Sequence, residues 1–375
     1  MPLTLTVLEA RTLAIPFKQS FSHASAIRRH TQTLWIAARD QAGRIGHGEG
    51  CPREYVTAEN LSGAQAFVAR YRHEWCAGIV DLQSLAHWVR THDEDIDTHP
   101  AAWCAVELAL LDLLGKATKQ SVEQMLGLPR VAGSFRYTAV LGDATPAQFE
   151  AQLGRYLQAG LREFKIKLSG DAARDRSKVE TLAAAGISPA KVRADANNLW
   201  ANADAAIDAL AALHFPFFAI EEPLRCGDYA GMQAIATALG TRIILDESLV
   251  RAEQLDQLNA TAGHWIVNLR VSKMGGLLRS LDLIDKLRQC GVPIIVGAHV
   301  GETSVLTRAA LPLAMAAQEL LLAQEGAFGT HLLVHDVVKS PLMFGPGGKL
   351  DSAVTAADAP GWGLAIDLAA LSGDG

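Results

Sequence analysis

The sequence Lys165-Ile166-Lys167 is the first of five short polar motifs in the middle of the chain. The other four are Asp195-Ala196-Asn197, Glu221-Glu222-Pro223, Asp246-Glu247-Ser248 and Ser272-Lys273-Met274-Gly275-Gly276. Each motif closes or follows a short apolar run, and the charged residues recur every 25 to 28 positions, about the length of one strand, one helix and two loops. Strands that alternate with helices are typical of parallel βαβ units. In a closed barrel of such units the carboxyl ends of the strands meet at one mouth, so three carboxylates and two lysines are predicted to converge there.

Side-chain alternation along the strands supports this arrangement, because successive strand residues point to opposite faces. Lys165 and Lys167 are predicted to face the barrel interior, whereas Ile166 faces the surrounding helices. Lys273 is out of step with Arg270, and we therefore expect it on the turn just after its strand.

The composition predicts a globular protein with a large core. The chain has 375 residues, of which 49% are hydrophobic and 20% charged. A net charge of −6 argues against a nucleic-acid partner, and no apolar run reaches the ~18 residues of a membrane span. Five scattered cysteines without a CxxC pair, and an N-terminus unlike a signal peptide, favour a cytoplasmic protein with reduced thiols.

Alternating residues predict antiparallel strands at 3–13, 31–38 and 45–49, and residues 57–128 are predicted to be mostly helical. The polar segment 17–30 is expected to be a long loop, either a lid over the substrate or an ordinary surface turn.

The barrel pattern is expected to begin with a strand at 135–141. It is expected to end with an eighth strand at 327–334, after a helix at 307–322. Residues 351–354 and 363–366 are candidates for strands that return to the N-terminal region.

Three carboxylates without nearby cysteine or histidine partners predict a site for a hard cation such as Mg²⁺. Asp195, Glu221 and Asp246 are the expected ligands, although any one of them alone could be a strand-end carboxylate that caps a helix. Glu222 and Glu247 each follow an expected ligand directly, so their side chains should point to the opposite face of the strand. They are expected to orient their neighbours.

Two lysines on opposite sides of a barrel are suited to proton transfer. Lys167 and Lys273 could remove a proton from one face of a bound substrate and deliver a proton to the other. A metal ion would hold the substrate carboxylate and stabilise the negative charge of the resulting enolate.

These motifs together resemble the enolase superfamily, in its muconate-lactonising-enzyme subgroup. The resemblance extends over nearly the whole chain, through KIK (165–167), DAN (195–197), IEEP (220–223), DES (246–248), NLRVSKMGG (268–276), HGEGCPREYVTAEN (47–60), ELALLDLLGK (107–116) and PGWGL (360–364). It implies an α/β fold with a modified (β/α)₇β TIM-like barrel, Mg²⁺ (or Mn²⁺ in its place) on the three carboxylates, and Lys167 and Lys273 as the acid/base pair. The supporting residues would be Lys165, Asn197, Arg270 and Glu247, and such proteins are commonly homo-oligomers.

The resemblance also implies three parts of the chain: an α+β capping domain over residues 1–130, a catalytic barrel over 131–345, and a C-terminal segment, 346–375, that returns to the capping domain.

The departures from the family pattern concern the substrate. Arg270 stands where a lysine is common, and GAHVGETS (297–304) approximates a family stretch with one extra residue. His299 and Glu302 are therefore expected to contact the substrate, although His299 could instead be a structural histidine. Phe21 and His23 are expected to contact it from the 17–30 segment, if that segment is a lid. A strand-seven histidine base is rejected because strand six ends in Lys273, and the absence of an Asp-x-Asp motif near strand eight disfavours a dipeptide substrate.

The sequence thus predicts a metal-dependent isomerase that removes the proton α to a carboxylate of a small molecule. Racemisation or epimerisation of an N-substituted or acylated amino acid is the first hypothesis. Muconate-type cycloisomerisation, or dehydration of a hydroxy acid or hydroxyproline-like substrate, is the alternative. A metal-free Schiff-base lyase that uses Lys167, and a non-catalytic binding protein, are hypotheses from other classes.

Overall fold

The computed structural model describes residues 3–23, 26–258 and 262–372. Its N-terminal strands are β1 (Leu5–Leu13), β2 (Pro16–His23), β3 (Ala26–His30), β4 (Thr33–Asp40) and β5 (Ile45–Gly50). Strands β1, β4 and β5 form an antiparallel sheet in the order β1-β4-β5, as the alternating sequence predicts.

Strands β2 and β3 form a hairpin where a long loop was expected, so that prediction was wrong. One edge of the hairpin pairs with a segment more than 300 residues away. The Lys18 amide donates to the Leu332 carbonyl at 2.8 Å, and the Val334 amide donates to the Pro16 carbonyl at 3.0 Å. Such a distant partner leaves no trace in the local pattern of residues 17–30.

A helical layer covers the antiparallel sheet. The helices are α1 (Glu54–Thr57), α2 (Leu61–Gly78), α3 (Leu82–Thr91), α4 (Asp93–Thr98), α5 (Pro100–Thr118) and α6 (Val122–Leu126). Helix α5 lies directly on β5, where every second residue is a glycine. A Cβ atom at Gly48 would lie 2.0 Å from the Ala105 carbonyl oxygen, so this close approach requires glycine.

The rest of the chain alternates strands and helices. The strands are β6 (Ser134–Arg136), β7 (Ala139–Leu141), β8 (Phe164–Lys167), β9 (Val192–Asp195), β10 (Ala219–Glu221), β11 (Arg242–Leu245), β12 (Trp265–Leu269), β13 (Ile294–Val296), β14 (Leu321–Gln324) and β15 (Lys349–Asp351). The helices are α7 (Pro146–Gln158), α8 (Ala172–Ala184), α9 (Ala203–Ala211), α10 (Tyr229–Leu239), α11 (Leu277–Cys290), α12 (Ser304–Ala316) and α13 (Leu368–Ser372).

Strands β7 to β14 form one parallel sheet in chain order. Its two ends meet where the Thr138 amide donates to the Gln324 carbonyl at 2.8 Å, which curls the sheet into a barrel. In the described part of the chain, only short 3₁₀ turns connect β11 to β12. The fold is therefore α/β, a (β/α)₇β barrel with an added antiparallel-sheet unit. An interior layer of Ala219, Ile244, Ile266 and Ile295 fills the barrel.

Two barrel strands differ from the prediction. The expected first strand is split, because β6 pairs antiparallel with β15 and only β7 joins the barrel. The eighth strand is β14, whereas residues 327–334 contain a 3₁₀ turn at Gly329–His331. The run Leu-Leu-Ala-Gln of β14 begins only a few residues after the apolar helix α12, so its composition is that of a continued helix.

The C-terminal segment contacts both parts of the molecule. Trp362 donates its amide to Asp112 Oδ1 at 2.9 Å and its indole N–H to the Leu108 carbonyl at 2.9 Å, so this segment packs on α5. The strand expected at 351–354 is a 3₁₀ turn, and 363–366 contributes one bridge, between Val338 and Ile366. The division at 130 and 345 stays a prediction. No helix among the described residues has the length and apolarity to cross a membrane.

Candidate active site

The two lysines of β8 point into the barrel and contact carboxylates of neighbouring strands. Lys165 Nζ donates to Glu221 Oε1 at 2.8 Å and to Glu325 Oε2 at 3.0 Å, and it lies 3.2 Å from Asp195 Oδ2. Lys167 Nζ donates to Asp195 Oδ2 and, at 2.9 Å, to Asn197 Oδ1. The alternation of β8 dictates this arrangement, because Ile166 packs outward in the main apolar core.

Parallel register brings the three predicted metal ligands together. Asp195 pairs with Lys167 on one side and with Glu221 on the other, and Asp246 follows the end of β11. All three carboxylates are about 1% exposed. Burial disfavours the charge on Asp195, but Lys167 and Lys165 outweigh it and lower the pKa of Asp195. Burial and the nearby Asp195 raise the pKa of Glu221.

Lys273 approaches the cluster from the turn after β12. This position was predicted because Lys273 is out of step with Arg270 in the strand alternation. Its Nζ donates to the Asn268 carbonyl at 2.6 Å, to the Asp246 carbonyl at 2.8 Å and to Asp246 Oδ1 at 3.1 Å. The side chain is fully buried. Burial, and then repulsion from Arg270, lower the pKa of Lys273 to about 7. Lys165 behaves in the opposite way, because Glu221, Glu325 and Asp195 outweigh its burial and raise its pKa.

The donor chemistry of the cluster fits a divalent hard cation. Asp195, Glu221 and Asp246 offer only oxygen atoms, and Glu221 Oε2 is buried without accepting a hydrogen bond, although Lys165 Nζ lies 2.7 Å away. Among the described residues no group of three or more His, Cys, Asp or Glu side chains is arranged to hold an ion. The three carboxylates contact Lys165, Lys167, Lys273 and Arg270 instead.

Glu222 and Glu247, which each follow a proposed metal ligand directly, have different surroundings. Glu222 accepts hydrogen bonds from the Asp246 amide at 2.7 Å and the Ser248 amide at 2.8 Å, and so it fixes the backbone of the DES motif. Glu247 lines the cavity, and its Oε2 is buried without a hydrogen-bond partner. Burial, together with Glu222 and Asp195, raises the pKa of Glu247 to about 8.

Of the expected substrate contacts, His299 lines the cavity and Glu302 lies behind it. Glu302 Oε1 accepts the His299 amide at 2.6 Å. Neither ring nitrogen of His299 makes a hydrogen bond, although its Nδ1 lies 3.3 Å from Glu302 Oε1. Burial, and then the charges of Arg270 and Arg53, lower the pKa of His299, so the ring is neutral. The side chains of Phe21 and His23 lie outside the described residues.

Sequence reasoning missed two charged residues beneath the lysines. Glu325 follows β14 directly and accepts from Lys165 and, at 3.1 Å, from Arg193 Nη2. Arg193 also donates to Thr138 Oγ1 at 2.7 Å, close to the seam that closes the barrel. Arg193 precedes Asp195 by two residues on the same strand face, which was a usable signal, whereas Glu325 was hidden by the misplaced eighth strand.

A cavity of about 420 Å³ opens onto the cluster. Lys165, Lys167 and Arg270 lie at its inner end, between the open space and the carboxylates. Its remaining wall combines small, apolar and polar residues with aromatic and basic ones, among them Lys18, Tyr55, Arg155, Tyr156, Phe328, His331 and Phe344. The cavity therefore offers cations for a carboxylate at its inner end and apolar surface further out.

The model of the family described as "Enolase C-terminal domain-like" matches residues 148–370. Among curated relatives, an N-succinyl-L-Arg/Lys racemase of Bacillus cereus is 24% identical over 83% of this chain and 84% of its own length. A cis-3-hydroxy-L-proline dehydratase of Roseibium aggregatum is 26% identical over 96% of this chain and 95% of its own length.

A solved structure supports the fold. The dipeptide epimerase from Enterococcus faecalis V583, complexed with Mg and the dipeptide L-Leu-L-Tyr, has a TM-score of 0.81 at 22% identity. The alignment covers 97% of this chain and 100% of that chain.

Proposed function

The chain is an enzyme of the enolase superfamily, in the subgroup of mandelate racemase and muconate-lactonising enzyme, and we propose that it racemises or epimerises N-acylated amino acids. One observation carries this proposal: two lysines reach a single carboxylate cluster from opposite sides of the barrel. Lys167 comes from β8 and Lys273 from the turn after β12, four strands further round an eight-stranded barrel.

Inversion of a stereocentre next to a carboxylate needs this arrangement. A neutral lysine amine on one side removes the α-proton, and a lysine ammonium on the other side delivers a proton to the opposite face. Lys273 is suited to alternate between these states because its pKa is lowered to about 7. The cavity opens beside the β8 lysines, so a substrate bound there would lie within reach of the cluster.

The remaining charges would hold the substrate carboxylate. Lys165 and Arg270 line the inner end of the cavity, and Lys165 is kept protonated by Glu221, Glu325 and Asp195. When bound, Mg²⁺ would be held by Asp195, Glu221 and Asp246 and would supply electrostatic stabilisation for negative charge on the carboxylate oxygens. Loss of an α-proton beside a carboxylate concentrates charge on those oxygens, so this is where cations are most effective.

The acids of the cavity favour an N-acyl group over a free amino group. Among the described residues, only Glu247 and Glu325 line the cavity with carboxyl groups. Glu325 is held by Lys165 and Arg193, and the pKa of Glu247 is raised to about 8. Neither is a free carboxylate at neutral pH that could pair with the ammonium group of a dipeptide.

Cycloisomerisation and dehydration remain the alternative reactions, because both can use the same proton transfer to one lysine. They differ in their products and in requiring a single base. The similarity to a hydroxyproline dehydratase favours dehydration as the second candidate.

Exchange of the α-hydrogen in D₂O tests the proposed function. We expect NMR to show loss of the α-proton signal of both enantiomers of N-acylated amino acids in the presence of Mg²⁺, with interconversion of the enantiomers. EDTA should abolish the exchange, and so should Asp246→Asn, because each removes part of the cation site.

Three outcomes would contradict this proposal. Full activity of Asp246→Asn in EDTA would exclude the metal role of the carboxylates. Exchange without interconversion would favour a dehydratase or cycloisomerase. Trapping of a substrate adduct on Lys167 by borohydride would mark a Schiff-base lyase.

Two broader features are also proposals. Homo-oligomeric assembly, as is common in the family, can be checked by light scattering. A cytoplasmic location without a nucleic-acid partner agrees with the negative net charge and with scattered cysteines that form no CxxC pair.

A further inference from the structure

Arg270 occupies an unusual position in the charge cluster, because it bridges the cavity and two of the three proposed metal ligands. It follows the last residue of β12, it lines the cavity, and its side chain is 11% exposed. Its Nη2 donates to Asp246 Oδ2 and lies 3.9 Å from Glu221 Oε1. The guanidinium therefore neutralises carboxylates that a cation would otherwise bind.

Both oxygens of Asp246 already have cationic partners. Lys273 Nζ contacts Oδ1 at 3.1 Å, and Arg270 occupies Oδ2. Mg²⁺ approaches its oxygen ligands to ~2.0–2.1 Å and tolerates little distortion. A guanidinium that donates to the same oxygen takes up one of its two lone pairs and repels the dication across a poorly solvated gap. Mg²⁺ and Arg270 are therefore expected to compete for Asp246 Oδ2.

The surroundings of Arg270 leave its side chain room to move. Its Nε is buried and makes no hydrogen bond, so no protein group fixes that part of the side chain. Gly297 directly follows β13, and a Cβ atom there would lie 3.2 Å from Arg270 Cγ. The cavity gives the guanidinium open space on the side away from Asp246.

We propose that the side chain of Arg270 has two positions and that binding of a divalent ion shifts it from one to the other. Without a divalent ion it neutralises Asp246 and Glu221, and metal binding displaces it into the cavity, where its guanidinium binds the carboxylate of the substrate. The second half of this proposal rests on the proposed function, whereas the competition with the metal does not. Because binding free energies are reciprocal, Mg²⁺ should strengthen carboxylate binding by the same factor as the carboxylate strengthens Mg²⁺ binding.

Calorimetric titration tests both halves without relying on turnover. The proteins are the wild type, Arg270→Met, Arg270→Lys and the control Lys18→Met, which removes a cavity cation that donates to the Thr330 carbonyl instead of a carboxylate. The probes are Mg²⁺ and N-acetylglycine, a carboxylate without a stereocentre.

Arg270→Met should bind Mg²⁺ about tenfold more tightly than the wild type, within the usual range of coupling between two sites. Mg²⁺ should strengthen N-acetylglycine binding to the wild type and to Lys18→Met, but not to Arg270→Met. Arg270→Lys keeps the charge and serves as the folded reference, and it should bind Mg²⁺ less tightly than Arg270→Met.

Unchanged or weaker Mg²⁺ binding by Arg270→Met would overturn the competition. Equal strengthening of N-acetylglycine binding by Mg²⁺ in the wild type and Arg270→Met would refute the claim that Arg270 binds the carboxylate once the metal is bound. Failure of the proposed function would appear separately, as an absence of α-hydrogen exchange in D₂O while these titrations still gave their result.

Discussion

At the scale of single residues, Lys167 and Lys273 contact different parts of the carboxylate cluster. Lys167 contacts Asp195 and Asn197, whereas Lys273 contacts Asp246 and two backbone carbonyls. Because their attachment points lie on opposite sides of the barrel, each amine should reach only one face of a bound substrate.

We therefore expect Lys167→Ala to abolish α-hydrogen exchange of one enantiomer and to leave slow exchange of the other. Lys273→Ala should give the reverse pattern. Interconversion should fall by about 10²-fold or more in both variants, since loss of a general acid or base typically costs that much. NMR of each enantiomer in D₂O measures all three quantities.

The control for the lysine variants is Lys191→Ala, which should keep wild-type exchange. Lys191 is exposed, lies just before β9 and pairs with the half-buried Glu163. Equal exchange of both enantiomers by Lys167→Ala would refute the assignment of one lysine to each face.

The positions of some site residues could be predicted from the sequence, whereas those of others could not. Asp195, Glu221 and Lys167 were predictable because strand parity and a regular step fix where they point. Glu325 was not, because its position depends on where a short apolar strand begins after an apolar helix. The partners of Arg270 also lie beyond sequence reasoning, since a long side chain at the end of a strand can reach several acids.

At the scale of elements, the β2–β3 hairpin is held at its base and extends beside the cavity. Its first strand pairs with residues 332–334, Thr31 Oγ1 donates to the Leu13 carbonyl at 3.0 Å, and Lys18 lines the cavity. A fixed base beside an open barrel mouth suits a lid, because excluding water strengthens the electrostatic interactions inside.

Phe21→Ala tests the lid. We expect KM or the preference among substrates to change several-fold while the melting temperature stays within a few degrees, because the hairpin base keeps its pairing. Steady-state kinetics on each active substrate, with thermal unfolding as the control, measure this. Unchanged kinetics on every substrate would count against a lid.

The elements that the sequence predicted best have a clear pattern of apolar residues within their own segment. Helix α5 and strands β8 to β12 each carry enough apolar residues to reveal their type. The hairpin and the β6–β15 pair depend on partners distant in sequence, so their short segments resemble loops when considered alone.

At the scale of the whole molecule, three buried glutamates of the N-terminal part accept hydrogen bonds from the starts of long helices. Glu49 accepts from the Thr303 amide at the start of α12, and Glu107 accepts from the Leu277 amide at the start of α11. Both contacts join the N-terminal part to the barrel. Glu59 does the same for α5, accepting from the Ala101 amide at 2.9 Å and the Ala102 amide at 3.1 Å.

The contribution of Glu59 to the free energy of unfolding depends on pH. Burial raises its pKa from an ordinary 4.5 to about 7, against the effect of its hydrogen bonds with Ala101, Ala102 and Thr57. Between those two pH values the folded protein keeps a proton that the unfolded chain releases. The stabilisation from this proton is complete below pH 4.5 and is lost as the pH rises through 7, at up to ~1.4 kcal/mol per pH unit.

We expect the unfolding free energy of the wild type to fall relative to that of Glu59→Gln as the pH rises from 5 to 8, because glutamine has no proton to lose. At pH 5 the variant should be the less stable protein, since its amide group accepts fewer hydrogen bonds than the carboxyl group does. Urea titrations at several pH values measure this difference, in which the titration of all other groups cancels. Glu54→Gln, a change at an exposed glutamate nearby, should run parallel to the wild type. A difference between the wild type and Glu59→Gln that stays constant or reverses with pH would show that folding does not raise the pKa of Glu59.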